Sequence, residues 1–218
     1  MTAVVLADDQ ELIRVGLRTM LESRGVSVLA EAGNGREAVD EVRRHSPDVV
    51  LMDIRMPELD GIAATAELVR DGPPSKVLIL TTYDLDELVY RALRTGAAGF
   101  LLKSTPADRI ASGVEVVAAG ESLLSPSVTQ RLIEQHVAGP NPDGSAVLGR
   151  LTDRERDVLR LLAQGRSNTE IAATLVLTEA TIKTHVNRVF AKLRVRSRAQ
   201  AVVMAYECGL VVPGRPTS

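Results

Sequence analysis

Through about Gly120, short and almost continuously apolar runs alternate with stretches that repeat hydrophobic residues at helical spacing. AVVLAD, VSVLAEA, DVVLMD, KVLILT and GFLLK read as five strands, each followed by a helix-length segment. Strands apolar on both faces need cover on both sides, and alternation with helices makes them parallel. The expected fold is therefore an α/β doubly wound five-stranded parallel sheet. Gly96 closes the helical stretch DLDELVYRALRTG, and Pro106 opens PADRIASGVEVVAAG.

From Glu121 the pattern breaks into Pro126, a short helical stretch SVTQRLIEQHV, and then AGPNPDGSAV, a linker by its Gly139, Pro140, Pro142 and Gly144. Four helical segments follow, over 151–165, 168–176, 179–193 and 198–208. Thr152 with Glu155 and Ser167 with Glu170 form capping boxes at the first two, and Thr178 is a natural N-cap for the third. The expected organisation is an α/β domain over 1–120, a linker with a short helix over 121–147, a small all-α domain over 148–213 and a tail over 214–218.

Composition narrows the partners. Aromatic residues make up 2% of the chain and Trp is absent, which disfavours base-stacking platforms for single strands or RNA but leaves duplex DNA open. The lone Cys208 excludes an internal disulfide and is expected to be a buried apolar residue of a reducing compartment. Asp8 and Asp9 interrupt the N-terminus before a signal-peptide core could form, and no apolar run reaches membrane-spanning length, so a cytoplasmic protein is expected. The formal charge of −2 hides a split. From Leu148 onward 12 Lys and Arg face 6 Asp and Glu, whereas the preceding residues carry 14 against 22. A small basic helical half is the electrostatic footprint of a DNA binder, and an acidic half suits a metal or a basic protein surface.

The unusual polar residues of the first half all fall at strand ends, where doubly wound sheets hold their ligands. Asp8 and Asp9 follow the first strand, Asp53 the third, Thr81 the fourth and Lys103 the fifth. Three carboxylates at one sheet edge repel each other unless a cation intervenes, and an all-oxygen set suits Mg²⁺. Asp53 can then act as a nucleophile toward phosphorus, with Thr81 and Lys103 holding the phosphoryl oxygens. Such chemistry needs positioning and neutralisation rather than a proton shuttle. His45, His136 and His185 are accordingly scattered and form no metal-ligand spacing.

With the acidic pair Asp8-Asp9, the acceptor in LMDIRMPELDG, the hydroxyl in LILTTYD and the lysine in GFLLKS, residues 1 to about 120 resemble a response-regulator receiver domain of flavodoxin-like fold. The resemblance implies Asp9, Asp53 and the Arg55 carbonyl as direct Mg²⁺ ligands and Asp8 as a ligand through water. It also implies Thr81 and Phe100 as switch residues that respond to phosphorylation of Asp53. Many receivers carry Pro after the lysine in a cis peptide; Ser104 stands there instead, so no cis bond is assumed.

A rival pattern lies in the same domain. Gly33, Gly35 and Ala38 spell G-x-G-x-x-A between a strand and a helix, with Asp53 twenty residues past Gly33, as in dinucleotide-binding folds. The motif follows the second strand rather than the first, and an NAD site leaves Asp8, Asp9, Thr81 and Lys103 without a purpose. No cofactor other than Mg²⁺ is expected, and Gly33-Asn34-Gly35 reads as a strand-to-helix turn.

In the helical half, a short helix, a tight connection through LVLT and a second helix place Lys183, Thr184 and Asn187 on one face and Ile182, Val186, Val189 and Phe190 on another. That is helix-turn-helix geometry. Thr184 and Asn187 are candidate base contacts, Lys183 a candidate for a guanine edge or a phosphate, and Arg188, Lys192, Arg194, Arg196 and Arg198 candidate phosphate contacts. Through LTDRE, GRSNTEIA and TIKTHVNRVFAKL, residues 148–213 resemble the LuxR-type helix-turn-helix, and the whole chain the NarL/FixJ class of response regulators. The resemblance implies a partner histidine kinase, promoter half-sites in double-stranded DNA, a homodimer when phosphorylated, and RNA polymerase as a further candidate partner. It implies a regulator rather than an enzyme, since the product of the chemistry is a conformational signal. The alternative is a regulator whose receiver serves only protein contacts, independent of phosphorylation.

Overall fold

The computed structural model describes residues 1–72, 75–82, 86–120 and 144–211. They divide into two compact units, one within Met1–Leu123 and one within Leu124–Ser218. The helical stretch SVTQRLIEQHV, with His136, and the tail lie outside the described residues.

The first unit alternates strands and helices: β1 Ala3–Ala7, α1 Glu11–Glu22, β2 Ser27–Ala32, α2 Gly35–His45, β3 Val49–Met52, α3 Gly61–Asp71, β4 Lys76–Thr81, α4 Asp86–Thr95, β5 Gly99–Leu102 and α5 Ala107–Ala118. The strands form one parallel sheet in the order β2-β1-β3-β4-β5. Successive strand side chains point to opposite faces, so both alternates must be covered. Val4 and Leu6 of β1 join Leu21 of α1 and Val114 of α5 in one apolar cluster. Val5 and Ala7 are equally buried on the opposite face.

Local chemistry sets the helix ends. Asn34 and Asp60 cap α2 and α3, accepting from the amides of Glu37 and Ala63. Gly96 takes φ 125° just past α4, and a Cβ there would lie 2.8 Å from Cγ2 of Val69, so the helix ends where only glycine fits.

The second unit is all-helical over its described residues: α6 Gly144–Leu148, α7 Asp153–Ala163, α8 Asn168–Leu175, α9 Glu179–Leu193 and α10 Arg198–Glu207. Both expected capping boxes are present at α7 and α8, and Thr178 caps α9. Helix α6 is a departure from the expected linker. Val147 and Leu148 pack against the cluster of Leu151, Leu159, Val189 and Leu193, and that burial draws the end of a Gly- and Pro-rich run into helix. Cys208 is a second departure: it is only partly buried, because it lies past the last turn of α10, and the partial burial holds its thiol pKa above the ordinary value.

Candidate functional site

The order of the sheet dictates where chemistry gathers. The chain leaves β1 for β2 on one side and then crosses to β3 on the other, so the carboxyl ends of β1 and β3 flank the crevice at the switch point. Ala7 pairs with Met52, and the residues that follow are Asp8 and Asp53. Thr81 ends β4 opposite Leu102 of β5, so Lys103 follows directly. Main-chain bonds carry the lacing past the strands: Asp53 N donates to Ala7 O at 2.8 Å, and Lys103 N donates to Thr81 O at 2.7 Å.

Lys103 lies at the centre. Its Nζ is 2.5 Å from Asp8 Oδ2 and 2.8 Å from Asp53 Oδ2. Asp53 Oδ1 accepts from the Ile54 amide at 2.7 Å, and Asp8 Oδ1 accepts from the Gln10 amide at 3.0 Å. Asp8, Asp53 and Thr81 are buried, whereas Asp9 is open to solvent. Burial pushes the Asp53 pKa up, and the bond from Lys103 only partly offsets it; the charge on Asp8 adds to the rise. Burial also acts to lower the Lys103 pKa, but the two carboxylates outweigh it and raise the value, keeping the ammonium charged.

One oxygen from each of Asp8, Asp9 and Asp53 lies within 4.8 Å of the others, close enough for a single ion. The buried Asp8 Oδ2 has the Lys103 ammonium as a near charge. One ammonium among three carboxylates leaves an excess of two negative charges. An all-oxygen donor set with that excess fits a divalent hard cation such as Mg²⁺.

Two residues that shape this site escaped the sequence reading. Arg14 of α1 donates to the Asp8 carbonyl at 2.7 Å while pairing with Glu31 at 3.2 Å, which steadies the β1–α1 loop. Gly61 opens α3 directly against Asp53: a Cβ there would lie 1.9 Å from the Asp53 carbonyl oxygen. The Asp-Gly pair at 60–61 reads as a helix start, and nothing local reports that Asp53 passes so close. Phe100 is partly buried, and no cis peptide bond occurs among the described residues, Lys103–Ser104 included. Gly35 accounts for the dinucleotide-like motif. Its amide donates to the Leu59 carbonyl at 3.1 Å, and a Cβ would meet that oxygen at 2.2 Å, so the glycine serves loop packing rather than a pyrophosphate.

In the second unit, α9 lies on α7 and α8 through Ile182, Val186 and Val189, all buried, while Lys183, Thr184, Asn187 and Arg188 are exposed on its other side. Val176 ends α8 in the left-handed conformation, and Thr178 then caps α9, which makes the tight turn between the two helices. Lys183 is paired with Glu179 at 2.9 Å, and the Thr184 hydroxyl donates back to the Ala180 carbonyl at 3.1 Å. Arg194 and Arg196 are exposed. Two expected phosphate contacts already have protein partners. Lys192 meets Glu155 at 2.6 Å, and Arg198 donates to Asn168 at 3.0 Å and to the Arg166 carbonyl. No helix among the described residues is long and apolar enough to cross a membrane.

A doubly wound sheet with this strand-end constellation, followed by a helix-turn-helix unit, defines a response regulator. The response regulator receiver domain matches residues 4–115 and the luxR family of bacterial regulatory proteins matches residues 149–205, so the chain belongs to the two-component response regulators with a LuxR-type DNA-binding domain, the NarL/FixJ class. It is similar to the response regulator protein VraR of Staphylococcus aureus, 36% identical over 95% of this chain and 98% of that protein. Among solved structures it resembles the response regulator ChrA of a heme-sensing two-component system, at 36% identity, TM-score 0.52, and coverage of 96% and 98%. It also resembles the response regulator RcsB in complex with DNA, at 25% identity, TM-score 0.55, and coverage of 94% and 98%. The family is one of DNA-binding transcription regulators rather than enzymes.

Proposed function

We propose that this regulator is switched by Mg²⁺-dependent transfer of a phosphoryl group from a partner histidine kinase to Asp53, and that the switch raises the affinity of α9 for promoter DNA. The observation that carries the reading is the convergence of Asp8, Asp9, Asp53 and Lys103 at one sheet edge. Asp9 and Asp53, with the Arg55 carbonyl, would hold the ion directly and Asp8 through water. When bound, Mg²⁺ would neutralise charge on the incoming phosphoryl oxygens.

This chain's own residues account for the rest. A carboxylate oxygen of Asp53 forms the new bond to phosphorus as the bond to the kinase imidazole nitrogen breaks, and the histidine keeps that electron pair. Lys103 already spans Asp8 and Asp53 and can follow the charge onto a phosphoryl oxygen. The Thr81 hydroxyl is the candidate for another oxygen, and its movement, with repacking of Phe100, would convert the acyl phosphate into a change of surface. Dimerisation then matches paired half-sites by symmetry, with RNA polymerase as a downstream partner. The domain limits 1–120, 121–147 and 148–213 remain our working division, with α6 joining the second unit.

Incubation with a small phosphodonor should tighten binding to a cognate promoter fragment only when Mg²⁺ is present. A gain that survives chelation would instead support the phosphorylation-independent alternative. On the DNA side, Lys183, Thr184 and Asn187 are assigned to the major groove, and Arg188, Arg194 and Arg196 to phosphates, with Lys192 and Arg198 available to phosphates only if they leave their present partners. Lys183→Ala should weaken cognate binding by about 1–3 kcal/mol and random-sequence binding by less. Equal losses on both duplexes would make Lys183 a phosphate contact.

A further inference from the structure

We infer that Lys192 is a positioning residue for the recognition helix α9 rather than a DNA contact, held in that role by the buried carboxylate of Glu155. The inference rests on the assignment of α9 to the DNA groove.

Glu155 is only 3% exposed, in the first turn of α7. Its Oε2 accepts two hydrogen bonds, one from the Thr152 amide at 2.8 Å and one from Lys192 Nζ at 2.6 Å. Burial alone would raise its pKa, but the Lys192 ammonium and the Thr152 amide outweigh that and hold it below the ordinary value. The capping box thus does more than start a helix: it anchors to the main chain a charge that reaches the last turn of α9.

Apart from an exposed hydrogen bond from the Thr169 hydroxyl of α8 to Glu179 at its first turn, at 3.2 Å, helix α9 rests largely on apolar contacts. Ile182 and Val186 lie in one cluster with Val158, Leu162 and Ile171, and Val189 and Leu193 lie in another with Leu151 and Leu159. The driving force of such contacts is non-directional and does not by itself select one rotation of the helix. A short charged hydrogen bond is directional, so it fixes the rotation and depth of α9. Lys183 and Asn187 lie on the same rigid helix, and their reach into a groove depends on that setting. Were Lys192 to leave for a phosphate, Glu155 would remain buried without its cation, which is strongly unfavourable.

The four lysines of the chain are Lys76, Lys103, Lys183 and Lys192. They can be tracked individually by acylation and mass spectrometry of the unmodified full-length protein, with and without cognate duplex. Lys192 should react slowly in both states, and Lys183 should react readily when free and be protected by DNA. Ready reaction of free Lys192 with strong protection by DNA would overturn the inference. Failure of DNA to protect Lys183 would instead count against the groove assignment, while slow reaction of free Lys192 would still report its pairing.

Variants supply the second reading. Lys192→Met and Glu155→Gln should each weaken cognate binding on the order of tenfold, with the double variant no weaker than either single. The dependence of affinity on salt should keep its slope in all three. A phosphate contact predicts the opposite: a slope reduced by about one in Lys192→Met, and tighter binding by Glu155→Gln.

Discussion

Asp53→Asn is expected to abolish phosphoryl uptake from a small donor and, with it, the donor-induced gain in DNA affinity. Coupling free energies of about 1–3 kcal/mol are typical between linked sites, so a gain of roughly 5- to 150-fold should disappear. The amide keeps the shape of the side chain and an oxygen for Lys103, but it lacks the anionic oxygen that the proposed attack on phosphorus requires. Loss of the fold is not expected to confuse the result. The folded-state pKa of Asp53 is raised by its burial and by Asp8, so the ionised form is held at a cost. Protonation of Asp53 therefore contributes stability that is fully present below the ordinary carboxylate range and is lost as pH rises through the raised folded-state pKa. Without Mg²⁺, Asp53→Asn should therefore melt no lower than the wild type at neutral pH, and any advantage should vanish in acid. Full retention of the donor effect by Asp53→Asn would remove Asp53 from its role as acceptor.

Gly61→Ala should disrupt the same site through the main chain. The added Cβ would lie 1.9 Å from Asp53 O and 2.9 Å from Asp53 C, and neither neighbour is a flexible side-chain end. The Gly61 amide is also bonded to the Ile54 carbonyl at 2.9 Å, so the first turn of α3 cannot retreat without breaking that bond. Overpacking against backbone should cost about 3 kcal/mol or more and displace Asp53 from Lys103. Gly16→Ala is the matched control. Gly16 lies on the exposed face of α1 with no heavy atom within 4 Å of the added carbon, so the substitution should stabilise the protein by about 0.5–1 kcal/mol. Chemical denaturation and phosphoryl uptake of both variants test the pair; a Gly61→Ala protein as stable and as readily phosphorylated as the wild type would refute the close-approach account.

Hydrophobic spacing along the chain was enough to read the alternating strands and helices, because the inner strands β1, β3 and β4 are buried on both faces, the edge strands are partly so, and each helix carries its own apolar stripe. Strand-end placement of Asp8, Asp53, Thr81 and Lys103 was legible for the same reason: a parallel sheet in register sends the residues after its strands to one edge. Capping boxes at Thr152 and Ser167 were legible because their partners lie three residues away. The helix over Gly144–Leu148 was not, since the local composition is that of a linker and only packing of Val147 and Leu148 on Leu151, Leu159 and Val189 favours helix.

What the amino-acid order determined by itself was thus the element sequence, the caps, the edge that carries the carboxylates and the outward face of α9, all of which depend on periodicity or near neighbours. Tertiary structure alone decided which groups remain available. Glu155 binds Lys192 across 37 positions, Arg14 of α1 holds the Asp8 carbonyl, and Gly61 must be glycine because Asp53 passes beside it. The physical reason is common to all three: hydrogen bonds and steric contacts act over a few ångströms, and distances that short between residues far apart in sequence exist only once the chain has packed.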